Sequence, residues 1–303
     1  MTTSAFTFHD EYDRQFRATT VGFAHNEIPL FQAMRSTLLS LSGKFEIEEY
    51  HGWGHQVTFL GDGTYARTGA RCELSDLAII TFSPIRKQAR LTYIQAKSER
   101  ATLTHGAVRF RKFGANLEQW YLLSARPDIA GVNLFAPPQA LLRSALLPSV
   151  GTFAFFYKDS AGAFQTLYAS ADYLEPVIKG KKISRRLKLV GPCISMNVCG
   201  HMECKAAIGN ISFARSLFDM EIGTPVNAES GAPRDVRNWL SANLKSQIKS
   251  AASAPEQSNL AQELIDILRP DDRQTSSGSF GAKSLIIIKS NAEPKNKKDQ
   301  NLN

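Results

Sequence analysis

The stretch Cys72-Glu73-Leu74-Ser75-Asp76-Leu77-Ala78-Ile79-Ile80-Thr81-Phe82, with Leu91-Thr92-Tyr93-Ile94-Gln95-Ala96-Lys97 after it, decides the fold class. Leu77–Phe82 and Leu91–Ala96 are short apolar runs rich in β-branched and aromatic residues, the length of strands rather than helices. Between them stands a charged connection with Pro84, so the pair reads as an antiparallel hairpin buried in a sheet. Side chains on a strand alternate between faces. Gln95 and Lys97 therefore point the same way, Ile94 and Ala96 point into the opposite layer, and Asp76 at the entry of the first strand falls beside Gln95 and Lys97.

Outward from this hairpin, residues 26–41 place Ile28, Phe31, Met34, Leu38 and Leu41 at helical spacing, with Asn26 as N-cap and Gly43 beyond the end. Gln56–Leu60 reads as extended and Gly61-Asp62-Gly63 as a turn. Leu117–Leu123 suggests a helix ended by Pro127, and Thr152–Tyr157 and Phe164–Tyr168 suggest strands. The core is thus mixed α/β. From Pro233, a helix carries Val236, Trp239, Leu240, Leu244 and Ile248 on one face, and a second covers about 259–268 before Pro270. Residues 270–281 read as a flexible loop, Leu285–Ile288 as a small strand, and 291–303 as a polar, Lys-rich disordered tail. The expected division is a core over 1–215, a helical C-terminal appendage over 216–290, and that tail.

The chain has 303 residues, 43% hydrophobic and 21% charged, enough to bury a real core. Lys and Arg number 36 against 28 Asp and Glu, a net charge of +8 that favours a polyanionic partner. The N-terminal stretch has no basic start followed by an apolar segment, and no apolar run approaches the ~18 residues of a membrane helix. Four cysteines do not make a disulfide framework at this length, so the expected compartment is a reducing cytoplasm, with no membrane partner. No GxxxxGK[ST] loop and no GxSxG elbow occurs, which argues against ATP use and against an α/β-hydrolase.

A carboxylate beside a carbonyl oxygen suits Mg²⁺, which takes oxygen ligands and keeps several waters. An ammonium group next to them positions the attacking water and stabilises phosphate charge. Asp76 followed by Gln95-Ala96-Lys97 resembles the PD-(D/E)xK nuclease superfamily, the restriction-endonuclease-like fold, in which an Asp begins one strand and an acid-x-Lys triplet lies on the next. Gln95 in place of the acid is similar to the QxK variant of Mrr-like restriction enzymes, and Ser75 stands where the family has Pro. The resemblance spans about Glu27 to Leu123. It implies a mixed central sheet flanked by helices and a metal-dependent endonuclease acting on DNA with Mg²⁺ or Mn²⁺. The site would be Asp76, Gln95, Lys97 and Glu27, with Asp76, Gln95 and Glu27 on the metal and Glu73 as rival to Glu27. It also implies a part in antiviral defence, as a homodimer or with a partner protein of a defence complex. A fold-retaining protein that binds DNA or a partner without cleaving is the alternative reading. Taken singly, Asp76 also suits a turn or cap.

Lys179, Lys181, Lys182, Arg185, Arg186 and Lys188 form a dense basic segment without an acid, and Arg109 and Arg111 form a second group. Both suit phosphate contacts, which give affinity without sequence reading. Cys193, Cys199, His201 and Cys204 invite a zinc reading, but their spacing lacks the usual paired CxxC knuckles. His51 and His55 flank Trp53, where a structural or surface role outweighs substrate contact.

Overall fold

The computed structural model describes residues 5–41, 46–47, 56–102, 112–132, 135–180, 182–250, 255–269 and 282–290. His51, Trp53, His55, Arg109, Arg111, Lys181, the 270–281 segment and the 291–303 tail lie outside these residues.

In chain order the helices are α1 (Ala5–Thr20), α2 (Glu27–Leu41), α3 (Leu117–Ala125), α4 (Asn210–Phe218), α5 (Arg234–Ser250) and α6 (Pro255–Leu268). The strands begin with β1 (Glu46–Ile47), β2 (Gln56–Phe59), β3 (Ala70–Glu73), β4 (Ser75–Ser83), β5 (Gln88–Thr102), β6 (Phe113–Gly114), β7 (Ile129–Gly131) and β8 (Gly151–Lys158). They continue with β9 (Phe164–Ser170), β10 (Leu174–Lys179), β11 (Lys182–Leu189), β12 (Ser195–Val198), β13 (His201–Cys204), β14 (Ala206–Ile208), β15 (Thr224–Pro225) and β16 (Ala282–Lys289).

The expected hairpin is present. β4 and β5 pair antiparallel in the register Leu77↔Ile94 to Ser83↔Gln88. They lie at the centre of a mixed sheet of order β1-β16-β4-β5-β8-β9-β14, with β15 added against β5. β16 runs parallel to β4 and β8 parallel to β5, while β9 returns antiparallel.

Helices cover both faces, so the central strands are apolar on both sides. On one face Ala78, Ile80, Phe82, Leu91 and Tyr93 share a cluster with Leu122 and Leu123 of α3, Trp239 and Leu244 of α5, and Leu264 of α6. On the other, Leu77, Ile79, Ile94 and Ala96 join Phe8 and Tyr12 of α1, Phe31 and Met34 of α2, and Phe213 of α4. The fold is thus an α/β architecture with helices on both sides of a mixed sheet.

Two expectations need correction. The segment after residue 215 is not an appendage: β15 and β16 pair with β5 and β4, and α5 and α6 pack in the same cluster as the sheet. The apolar face of α2 holds at Phe31, Met34, Leu38 and Leu41 but not at its start. Ile28 is exposed, and Leu30, Phe31, Met34 and Leu38 are buried. The helix must pack against α1 and the sheet together, which draws Leu30 inward and leaves its first turn in solvent.

Candidate functional site

The start of β4 and the second half of β5 join Asp76 to Gln95, and β5 and the N-terminus of α2 join Lys97 to Glu27. Asp76 precedes the Leu77↔Ile94 pair, so it faces Gln95 across the ladder. Gln95 donates from Nε2 to Asp76 Oδ2, and the Ala96 backbone N–H donates to the same oxygen at 2.9 Å. Two positions along β5, Lys97 Nζ donates to Glu27 Oε1 at 3.1 Å. Asn26 starts α2 by accepting the Ile28 N–H on its side chain, 3.2 Å away, and leaves Glu27 in the first turn, where the helix dipole favours a carboxylate. Asp76 and Gln95 are buried, with 5% and 2% exposure. Lys97 and Glu27 open outward, with side chains 16% and 41% exposed. The cluster therefore runs from a dry amide–carboxylate pair to a wetter ion pair at the surface.

A fifth residue belongs to it. Gln119 of α3 donates from Nε2 to Gln95 Oε1 at 3.0 Å. A carboxylate only accepts, so the Gln95 nitrogen must face Asp76 and its oxygen must face Gln119. In this arrangement Gln95 holds Asp76 in place. Its oxygen is turned away, and presenting it to a metal on Asp76 requires the amide to exchange its two partners. Gln119 was not foreseen. The available signal was a polar residue at an inward position, i−3 from Leu122, on a helix whose side chain–capped start is Asn116.

Of the two acids competing to complete the site, Glu27 contacts Lys97. Glu73 lies on β3, which pairs with β2 in a separate three-stranded sheet, its backbone opposite Gln56. Among the described residues no three His, Cys, Asp or Glu side chains gather as a metal-ligand group. The chemistry of the donor set fits a hard divalent ion held partly by water. Asp76 and Glu27 supply carboxylates, and Mg²⁺ binds through one or two of these while keeping its hydration.

The basic segment lies on a hairpin formed by β10 and β11. Lys179, Lys182, Arg185 and Arg186 are exposed. Lys188 pairs with Glu175 at 2.7 Å, and Arg186 donates to the Lys112 carbonyl. β6 lies beside β11.

The would-be zinc ligands do not gather, because Cys199 and Cys204 lie at opposite ends of one hairpin. β12 and β13 pair tightly around Cys199 and Gly200, both with positive φ, as a two-residue turn requires. Cys199 is exposed at this tip, while Cys204 is buried at the base opposite Ser195. At ~3.3 Å per strand residue these thiols stand roughly 10 Å apart, too far for one ion with ~2.3 Å bonds. Burial also pushes the thiols of Cys193 and Cys204 up to about 11, so both stay protonated near neutral pH.

No described helix is long and apolar enough to cross a membrane. No protein-family model matches the chain, and no curated protein or solved structure shows significant similarity to it.

Proposed function

We propose that the chain is a metal-dependent nuclease that hydrolyses DNA phosphodiester bonds at the Asp76–Gln95–Lys97–Glu27 cluster. The observation that supports this reading is that two strands and a helix carry two polar pairs whose β5 members are two positions apart, one pair dry and one open to solvent. Mg²⁺ or Mn²⁺ held by Asp76 and Glu27 would supply charge neutralisation at the phosphate and an activated water. Lys97 orients the nucleophile and offsets phosphate charge, and Glu27 fixes the position of the Lys97 ammonium. Gln95, braced by Gln119, holds the Asp76 carboxylate. The exposed cations of the β10–β11 hairpin contact the phosphate backbone. A role in defence against foreign DNA follows from the resemblance to Mrr-like enzymes alone.

A second reading has its own support. Both ends of the Gln95 amide are satisfied inside the protein, and Asp76 is almost fully buried. A closed polar network of this kind also suits a protein that keeps the fold and binds DNA without cutting it.

Plasmid cleavage separates the two. With Mg²⁺ or Mn²⁺ the wild-type protein cleaves, Asp76→Ala abolishes cleavage with DNA binding retained, and Lys97→Ala loses activity by a factor on the order of 10² to 10³. Intact plasmid under every metal condition supports the non-catalytic reading. Equal cleavage by wild type and Asp76→Ala sinks the site assignment.

A further inference from the structure

A charged cavity of about 260 Å³ lies at the turn end of the β4–β5 hairpin, away from Asp76. Arg86, Lys87, Arg90, His201, Asn227 and Glu229 line it. Its wall is rigid. Gly223, with φ +93°, brings the chain so close to β5 that a Cβ there would meet the Leu91 carbonyl oxygen at 2.9 Å. Pro225 then pairs opposite Arg90, and the Val226 N–H donates to the Ala89 carbonyl at 2.9 Å.

Arg90 is the informative group. It is 6% exposed, and its Nη1 donates to the carbonyls of Met202 at 2.8 Å and Gly223 at 3.2 Å. A guanidinium has five N–H donors. The other three find no acceptor among the described residues, and Arg90 forms no ion pair there. Burial pulls its pKa down to about 10, with Glu203 and Glu221 acting the other way through space and Arg86 adding repulsion. Burial also lowers the pKa of Arg86, and burial followed by Arg90 lowers that of His201. Arg90 is buried, Arg86 half-buried and Lys87 exposed, and cations converging on one space are stabilised by an anion placed between them. Glu229, exposed at the rim, pairs with Arg269 at 2.9 Å and also bonds to the Asn227 side chain and attracts Lys87, so it offsets charge on that side of the cavity and leaves the buried Arg90 side to an incoming anion.

Asn227 adds a second requirement. It is buried, and its Oδ1 accepts no hydrogen bond from the described protein. The cavity thus offers cationic donors to an anion and, at Asn227, a buried acceptor to a hydroxyl. A simple carboxylate lacks that hydroxyl, whereas a phosphate monoester of a polyol carries it. The volume lies just below the 300–1,000 Å³ range of ordinary ligand pockets, which suits a small sugar phosphate. We propose that this cavity binds a small phosphate monoester, independently of the chemistry at Asp76.

Calorimetry on the full-length protein at fixed ionic strength tests this, with ribose 5-phosphate, inorganic phosphate and ribose as probes. Ribose 5-phosphate is expected to bind saturably at one site, about tenfold tighter than inorganic phosphate, with no heat from ribose. Asn227→Asp, which adds a charge without changing size, should weaken it about tenfold or more. Lys87→Asn should weaken it roughly threefold, since Lys87 is exposed and asparagine tolerates its φ of 49°. Lys87→Asn decides the matter if Asn227→Asp fails to fold. No saturable heat up to about 10 mM overturns the proposal, as does equal affinity for the monoester and inorganic phosphate. Equal affinity in wild type and Lys87→Asn also overturns it, by placing the anion elsewhere on the basic surface.

Discussion

Gln95 donates its amide to Asp76, so Gln95→Glu removes a donor and puts a second carboxylate against the first in a nearly dry site. Without metal this should lower stability on the order of 1–3 kcal/mol, seen as a drop in Tm in EDTA. Mg²⁺ should restore the Tm, because a divalent ion shared by two acids removes their repulsion, and cleavage should be kept or raised. A drop that Mg²⁺ does not reverse would mark the cluster as structural only. A second residue-scale prediction concerns Glu203, which is fully buried. It accepts the Ser149 N–H at 2.8 Å and pairs with Lys205 at 2.8 Å, while Lys205 also reaches Asp172 at 2.9 Å. Burial opposes the Lys205 charge, but Glu203 and Asp172 outweigh it and raise its pKa. A raised lysine contributes stability that is complete below its unfolded pKa and is lost as pH rises through the folded one. On the lysine side the pair should therefore hold across neutral pH and weaken in strong alkali. Glu203→Gln should cost about 3–5 kcal/mol in urea unfolding at pH 7, as broken buried pairs do; a loss under ~1 kcal/mol would show the pair is screened. The Asp76–Gln95 contact was legible because strand alternation and a hairpin register fix which side chains meet, whereas the partner of Lys97 comes from α2. Gln119 and the Glu203–Lys205 pair were not legible, because their partners come from distant elements and no local period marks them.

At the scale of elements, β11 corrects the expectation that all its cations serve alike. Lys188 is committed to Glu175 and Arg186 to the Lys112 carbonyl, while Lys182 and Arg185 are exposed. If the hairpin contacts DNA phosphates, Lys182→Ala with Arg185→Ala should lower the log–log salt slope of binding by roughly 2, at ~0.9 per duplex phosphate. Lys188→Ala should change it by less than ~0.5, since that charge is already neutralised. An unchanged slope in the double variant would make this hairpin an ordinary solvated edge. The segment was not legible as a strand because its run of Lys and Arg hides the alternation. Only Leu187 and Leu189 reach the core, beside the buried Leu174 of β10.

The molecule as a whole depends on its last described strand. Leu285–Ile288 was legible as a strand, but its place in the sheet was not. A parallel partner is reached only through a long crossover, so no turn signal announces it. β16 lies between β1 and β4, and Leu285, Ile286, Ile287 and Ile288 are essentially inaccessible to solvent. At ~1.5–3 kcal/mol for each fully buried aliphatic side chain, these four residues account for roughly 6–12 kcal/mol of burial. That is comparable to the ~5–15 kcal/mol net stability of a whole domain. Removing β16 would also expose the edge of β4, beginning at Ser75 beside Asp76, as a template for aggregation. The boundary is sharp, because Ser290 is itself held, its N–H on the Phe82 carbonyl and its hydroxyl on the Phe218 carbonyl, both at 2.7 Å. A chain ending at residue 290 should therefore fold with unchanged Tm and function. A chain ending at residue 281 should be insoluble or bind a hydrophobic dye, and one ending at residue 232 should fail more severely by also losing Trp239, Leu240 and Leu244 from the core. Soluble expression with native circular dichroism for the 1–281 chain would show that β16 is dispensable and that the sheet closes on β4 alone.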